Sequence, residues 1–209
     1  SPLARTAPPE KGERSATSKE TAQAHICLGF PSDSFKHKGR YASLVLNTIL
    51  GGGMSSRLFV KLREEMGVGY YVRAGNDAYT DHGFFQISVG VDNKRIEEVL
   101  KAILEECQKL KTAGVGEEEL KKVKEFLIGN MKLSLESTDD IANFYGGQEL
   151  LKRELKNAED KAKEIRKVTA KEIQTLAMNI FSNNKLNLAL IGPFPSKKAK
   201  ANFLKILKF

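Results

Sequence analysis

The chain has 209 residues, 41% hydrophobic and 29% charged, enough apolar side chain to build a core and to exclude a largely disordered protein; against roughly 150 residues per domain this is one large domain or two small ones. No run of about 18 apolar residues occurs, so no membrane-spanning helix is expected, and the widely separated Cys27 and Cys107 exclude a disulfide scaffold or a thiolate metal site. Of the net charge of +8, five lysines in Pro195–Phe209 account for +5 and leave +3 for the other 194 residues, too dilute for a nucleic-acid-binding face.

Ser1 to Thr21 is polar and rich in Pro, Ser, Thr and charge. It reads as a linker or extended arm, and without an apolar h-region it is not a secretory signal. The opening Ser-Pro in place of Met suggests a processed protein or a piece of something longer. Order is expected from Ala22, where Ala-Gln-Ala-His-Ile-Cys-Leu-Gly-Phe has the alternation of a strand. Arg40 to Leu50 places Leu44, Val45, Thr48 and Ile49 at helical spacing and stops at Gly51-Gly52-Gly53. Ser55 and Ser56 are candidate N-caps for a second helix with Leu58, Phe59 and Leu62 on one face.

Val68 to Tyr79 and Phe84 to Val91 read as two strands joined through Asp81-His82-Gly83, hence antiparallel. Ile96, Val99, Leu100, Ile103, Leu104, Cys107 and Leu110 then keep a single apolar stripe, which Gly114 ends. Glu117-Glu118-Glu119 loads the first turn of the next helix with the charge its dipole favours. Ser137 starts another helix, and Thr169-x-x-Glu172 is a capping box for a later one. Leu186, Leu188 and Leu190 alternate in a late strand before Gly192-Pro193. The order predicts an α+β fold, an antiparallel-rich sheet with helices packed on one face.

The catalytic inventory is thin. His25, His37 and His82 are isolated, with no H-x-x-E-H spacing. There is no P-loop and no nucleophile elbow. The sequence predicts no metal ligands on this chain and no complete active site.

One stretch is more specific: Leu50 to Gly75 reads LGGGMSSRLFVKLREEMGVGYYVRAG. A glycine-rich turn, then S-S-R-L-F, then L-R-E-x-x-G-x-x-Y resembles the second, non-metal half domain of the insulinase/pitrilysin-type (M16) zinc metallopeptidases, the family of the mitochondrial processing peptidase. The likeness extends more loosely from about Ala22 to Gly192. It implies a LuxS/mitochondrial processing peptidase-like metallohydrolase fold, and subunits of two homologous domains in tandem. In such subunits the first domain holds zinc through His-x-x-Glu-His and a later Glu, and the second faces it across a closed chamber. The second domain's arginine and tyrosine, which contact substrate, fall on Arg63 and Tyr70 here.

The resemblance implies zinc in the complete enzyme, held by another domain of the same or a partner chain. It further implies an unfolded peptide or protein as substrate and a homo- or hetero-oligomer such as a dimer. The expected domain runs from 22 to 194, and the compartment is expected to be cytoplasmic or periplasmic. The other open reading is a structural or interaction domain of an inactive family member. Gly51 to Gly53 is explained by a helix C-cap turn alone. The tail 195–209 sets Phe203 and Leu207 at i, i+4 among lysines, predicting a basic amphipathic helix that folds back onto the body and binds no lipid.

Overall fold

In a computed structural model of the chain, the fold is described for residues 12–152, 155–193 and Lys208. The strands are β1 (Arg14–Ser18), β2 (Ala24–Ser32), β3 (Tyr71–Ala78), β4 (Gly83–Val91) and β5 (Asn187–Gly192). They form one sheet in the order β1-β5-β2-β4-β3, antiparallel throughout except for the parallel β1–β5 pair. The helices are α1 (Arg40–Gly51), α2 (Arg57–Phe59), α3 (Ile96–Thr112), α4 (Glu117–Leu133), α5 (Thr138–Lys152), α6 (Ala158–Lys167) and α7 (Ala170–Ile180). A π-helical turn, Val60–Glu65, continues α2.

Alternation decides which face is buried. Ala24, Ile26, Leu28 and Phe30 of β2, with Phe85, Ile87 and Val89 of β4, point into the core. Val45, Leu46, Ile49 and Leu50 of α1 join them, as do the α3 stripe and Ile173, Ala177 and Ile180 of α7. Phe181, at the end of α7, packs edge-on against Phe30 and Phe85 at centroid distances of 5.2 and 5.5 Å, the geometry aromatic quadrupoles prefer. The outer face carries His25, Cys27, Tyr71, Arg73, Gln86, Ser88 and Ile191, all half-buried or exposed. The α+β sheet with helices on one face is the predicted architecture.

The arm is corrected at one place. Order begins before Ala22, because Arg14–Ser18 is a strand paired in parallel with β5 from Arg14↔Leu188 to Ser18↔Gly192. Its side chains carry no apolar pattern, and only Ala16 is buried. Pairing with an already formed strand makes it, not its own composition. The hairpin also turns earlier than predicted. Gly83 already pairs with Ala78, and the Tyr79 N–H donates to the His82 carbonyl at 2.7 Å. The capping box forms as read, with the Glu172 N–H donating to Thr169 Oγ1 at 3.2 Å and the Thr169 N–H donating to Glu172 Oε2 at 2.7 Å. The basic tail lies outside the described residues, apart from Lys208.

Candidate functional site

The glycine turn after α1 is dictated by packing. A Cβ at Gly51 would collide with the Ala74 backbone of β3, and one at Gly52 would meet Thr48 Cα at 2.6 Å. Ser56 takes the N-cap position of α2, as the sequence suggested, but its hydroxyl donates back to the Gly53 carbonyl at 2.6 Å and does not cap the helix. The turn therefore closes on itself and starts α2 in a fixed direction.

Arg57, the arginine of the S-S-R-L-F stretch, forms a two-pronged pair with Glu119, at 2.8 Å from Nε and 2.7 Å from Nη2. Nη2 also donates to the Gly114 carbonyl at 3.0 Å, where Gly114 turns the chain at φ +72°. Glu119 raises the guanidinium above its ordinary pKa, mainly through the hydrogen bond and against the cost of burial. The arginine thus ties the start of α2 to the first turn of α4. The sequence held both halves of this pair without showing that they meet.

Leu58 of α2 and Leu62 of the π-helical turn are buried while Arg63 points outward. Its guanidinium lies 5.3 Å from the centre of the Phe59 ring, a distance at which the ring face attracts a cation. The chain then reverses through Gly67 at φ +61° and Gly69 at φ +129°, angles that suit glycine. Three contacts fix this loop. The Val68 N–H donates to the Leu62 carbonyl at 2.7 Å, the Val68 side chain is buried, and Arg95 Nη1 donates to the Met66 carbonyl at 2.9 Å. Arg95 is itself held by Glu98 through bonds of 2.7 and 2.6 Å.

Tyr70 leaves the loop just before β3, not within the strand as the sequence reading had it, with its N–H donating to the Gly90 carbonyl at 2.9 Å. Its side chain is 62% exposed. Arg63 and Tyr70 therefore stand at the two ends of one braced loop, and no bond joins them. Among the described residues neither side chain has a hydrogen bond or ion pair.

The three histidines are scattered. His25 Nδ1 is 3.2 Å from the Tyr71 hydroxyl, His37 Nδ1 3.3 Å from Asp33 and His82 Nδ1 2.7 Å from Asp81. Cys27 faces outward and receives the Ser88 hydroxyl at 3.7 Å, whereas burial pushes the Cys107 thiol well above its ordinary pKa. Among the described residues no three His, Cys, Asp or Glu side chains gather as a metal site. The described residues do not fit a zinc ion.

Fold and site together define an α+β domain with a braced, exposed arginine–tyrosine loop and, among the described residues, no metal-binding cluster. A family model described as the peptidase M16 inactive domain matches residues 1–127, and the chain belongs to that family. It is 36% identical over 181 residues to the uncharacterized zinc protease YmxG of Bacillus subtilis, a match covering 87% of this chain and 44% of that protein. It is 33% identical to an uncharacterized zinc protease of Streptomyces coelicolor, covering 87% of this chain and 39% of that one. The chain thus spans less than half the length of these relatives. Among solved structures, a Helicobacter pylori protease superposes with a TM-score of 0.81 at 23% identity, over 91% of this chain and 48% of the other. The peptidase M16 inactive domain from Pseudomonas fluorescens gives a TM-score of 0.81 at 22% identity, over 89% and 45%.

Proposed function

We propose that this chain is the non-metal half of a zinc-dependent endopeptidase, closing the chamber and orienting an unfolded peptide for hydrolysis at zinc held by a companion domain. The observation that carries the reading is the Arg63–Tyr70 loop. Both side chains are exposed and lack polar partners among the described residues, while the backbone between them is pinned by Leu62, Val68 and Arg95. A braced loop presenting unspent donors is what binding a peptide backbone requires, since fixed donors need no reorganisation as charge grows on a carbonyl oxygen. Arg63 and Tyr70 are assigned that contact.

A chimera in which this chain replaces the matched stretch of the Bacillus subtilis relative tests the reading with a fluorogenic unfolded peptide. Arg63→Ala and Tyr70→Phe are each expected to lower turnover roughly 10²-fold, the loss of one oriented donor. The melting temperature should hardly change. Unaltered turnover in both variants, or a zinc-loaded chimera with no peptidase activity, overturns the proposal.

A further inference from the structure

Helix α5, Thr138–Lys152, does not obey the rule that shapes the other long helices. Apart from Phe144 and Gln148, its described side chains are exposed, and the apolar ones lie on several sides: Ile141 is 41% exposed, Tyr145 38%, Leu150 85% and Leu151 53%. Asp139, Asp140, Asn143 and Glu149 are interspersed with them, so α5 lacks the single apolar stripe by which a surface helix packs on its own core. The described residues supply little cover. Gln148 fastens α5 to the following loop through the Lys156 N–H and carbonyl at 3.2 and 3.1 Å, and Lys161 lies 3.7 Å from the centre of the Phe144 ring.

A second observation is independent of exposure. Gly146 and Gly147 fall in the middle of α5, where glycine is among the poorest helix formers. Some glycines have a visible reason, such as the Ala74 backbone beside Gly51, whereas Gly129 inside α4 is single and as open as this adjacent pair. A Cβ built at Gly146 or Gly147 meets nothing within 4 Å. Nothing described in this chain requires glycine there, whereas a second backbone approaching closely would. A helix of this length with two central glycines is marginal unless it packs on something.

The occupant follows from chain length and position. More than half of the Bacillus subtilis relative lies outside the stretch this chain matches. Phe144 borders a cleft of about 590 Å³ that also contains Phe35 and Ala78, at the end of the sheet where β2 and β3 finish. Gly12, whose N–H donates to the Asn184 carbonyl at 2.7 Å beside the start of β5, lies at that same end of the sheet but toward its other edge. We infer that α5 is the docking helix for the companion domain, which covers Ile141, Tyr145, Leu150 and Leu151 and brings its own backbone against Gly146 and Gly147. This rests on the companion-domain reading above. It adds the surface on which that domain sits.

The test mixes this chain with the part of the Bacillus subtilis relative outside the matched stretch, expressed separately, and follows assembly by light scattering after size exclusion. A one-to-one complex is expected. The double change Tyr145→Asp with Leu151→Asp should weaken it at least tenfold, and Gly146→Leu should do the same. Arg73→Asp, on the sheet's outer face, should leave it unchanged. All these side chains are exposed or meet open space, so unaltered circular dichroism keeps the comparison on binding. A complex indifferent to α5 but lost with Arg73→Asp overturns the docking surface and leaves the companion reading standing. Absence of any complex, or a self-association of this chain that the α5 changes dissolve, overturns the assigned occupant, while the chimera's peptidase assay reports separately on Arg63 and Tyr70.

Discussion

Helices α3 and α5 are similar in length, 17 and 15 residues, yet relate to the protein in opposite ways. In α3 every member of the stripe from Ile96 to Leu110 is buried. Lys101 pairs with Glu97 at 2.7 Å on its solvent side, and the exposed Lys109 reaches the buried Glu106 at 2.6 Å. In α5 the apolar residues face several directions and most stay exposed, and the helix interior carries two glycines. The sequence of α3 is fully accounted for by the rest of its own chain. That of α5 is not accounted for by the described residues and fits the companion surface inferred above. On that inference, the difference separates residues kept for the fold from residues kept for assembly.

The most direct way to break this comparison is to truncate one apolar side chain in the core that α3 helps to form and one on α5. Phe181→Ala removes the ring on which Phe30 and Phe85 stack, and should cost about 3–5 kcal/mol in urea unfolding. Leu150→Ala on α5, at 85% exposure, should fall within about 0.5 kcal/mol of the unaltered chain. Comparable losses would mean that α5 belongs to the core after all. Arg57→Ala comes next in size, because it strands Glu119 and removes the bond to the Gly114 carbonyl. About 1.5–3 kcal/mol is expected from hydrogen bonds to a charged group, and a smaller change would show that α2 and α4 hold together without the pair.

Cysteine reactivity sharpens the same contrast. Cys107 lies in the α3 stripe, where burial raises its thiol above the ordinary value of 9.0. Between the ordinary pKa and the raised one, the unfolded chain has lost this proton and the folded chain has kept it. Stability from this group is therefore intact below about pH 9 and falls as pH rises further, by up to about 1.4 kcal/mol per pH unit. Denaturant midpoints from pH 8 to 10 check the sign by comparison with Cys107→Ala, whose midpoint should fall less steeply. In the native state a maleimide should modify the half-buried Cys27 first and reach Cys107 only on unfolding.

Legibility in the sequence followed the same division. The α3 stripe, the acidic first turn of α4, the Thr169 capping box and the alternation in β2, β4 and β5 were all readable because local pattern and tertiary role agree. Strand β1 was not, because Arg-Ser-Ala-Thr-Ser has no apolar alternation and becomes a strand only by pairing with β5. Nor was the π-helical turn, since Val60–Glu65 has an ordinary helical composition and its geometry shows only when the Met66 N–H reaches the Lys61 carbonyl. At the candidate site, Arg63 and Tyr70 are proposed through the family motif and not through their chemistry. What no local pattern revealed is the brace beneath them: Arg95 lies 29 positions from Met66, whose carbonyl it holds.

A small expected gain tests α5 most sharply, because it runs against the usual direction of mutation. Gly146→Ala should raise the stability of the isolated chain by about 0.5–1 kcal/mol. Alanine restricts the unfolded chain, suits the helix interior and places its methyl in open space. Thermal unfolding of the chain alone measures this. A stabilised chain that docks its companion less well would show glycine there serving assembly at the expense of the isolated fold. A destabilised chain would show instead that this helix is already packed at Gly146, and the contrast with α3 would fail at the position where it is drawn most finely.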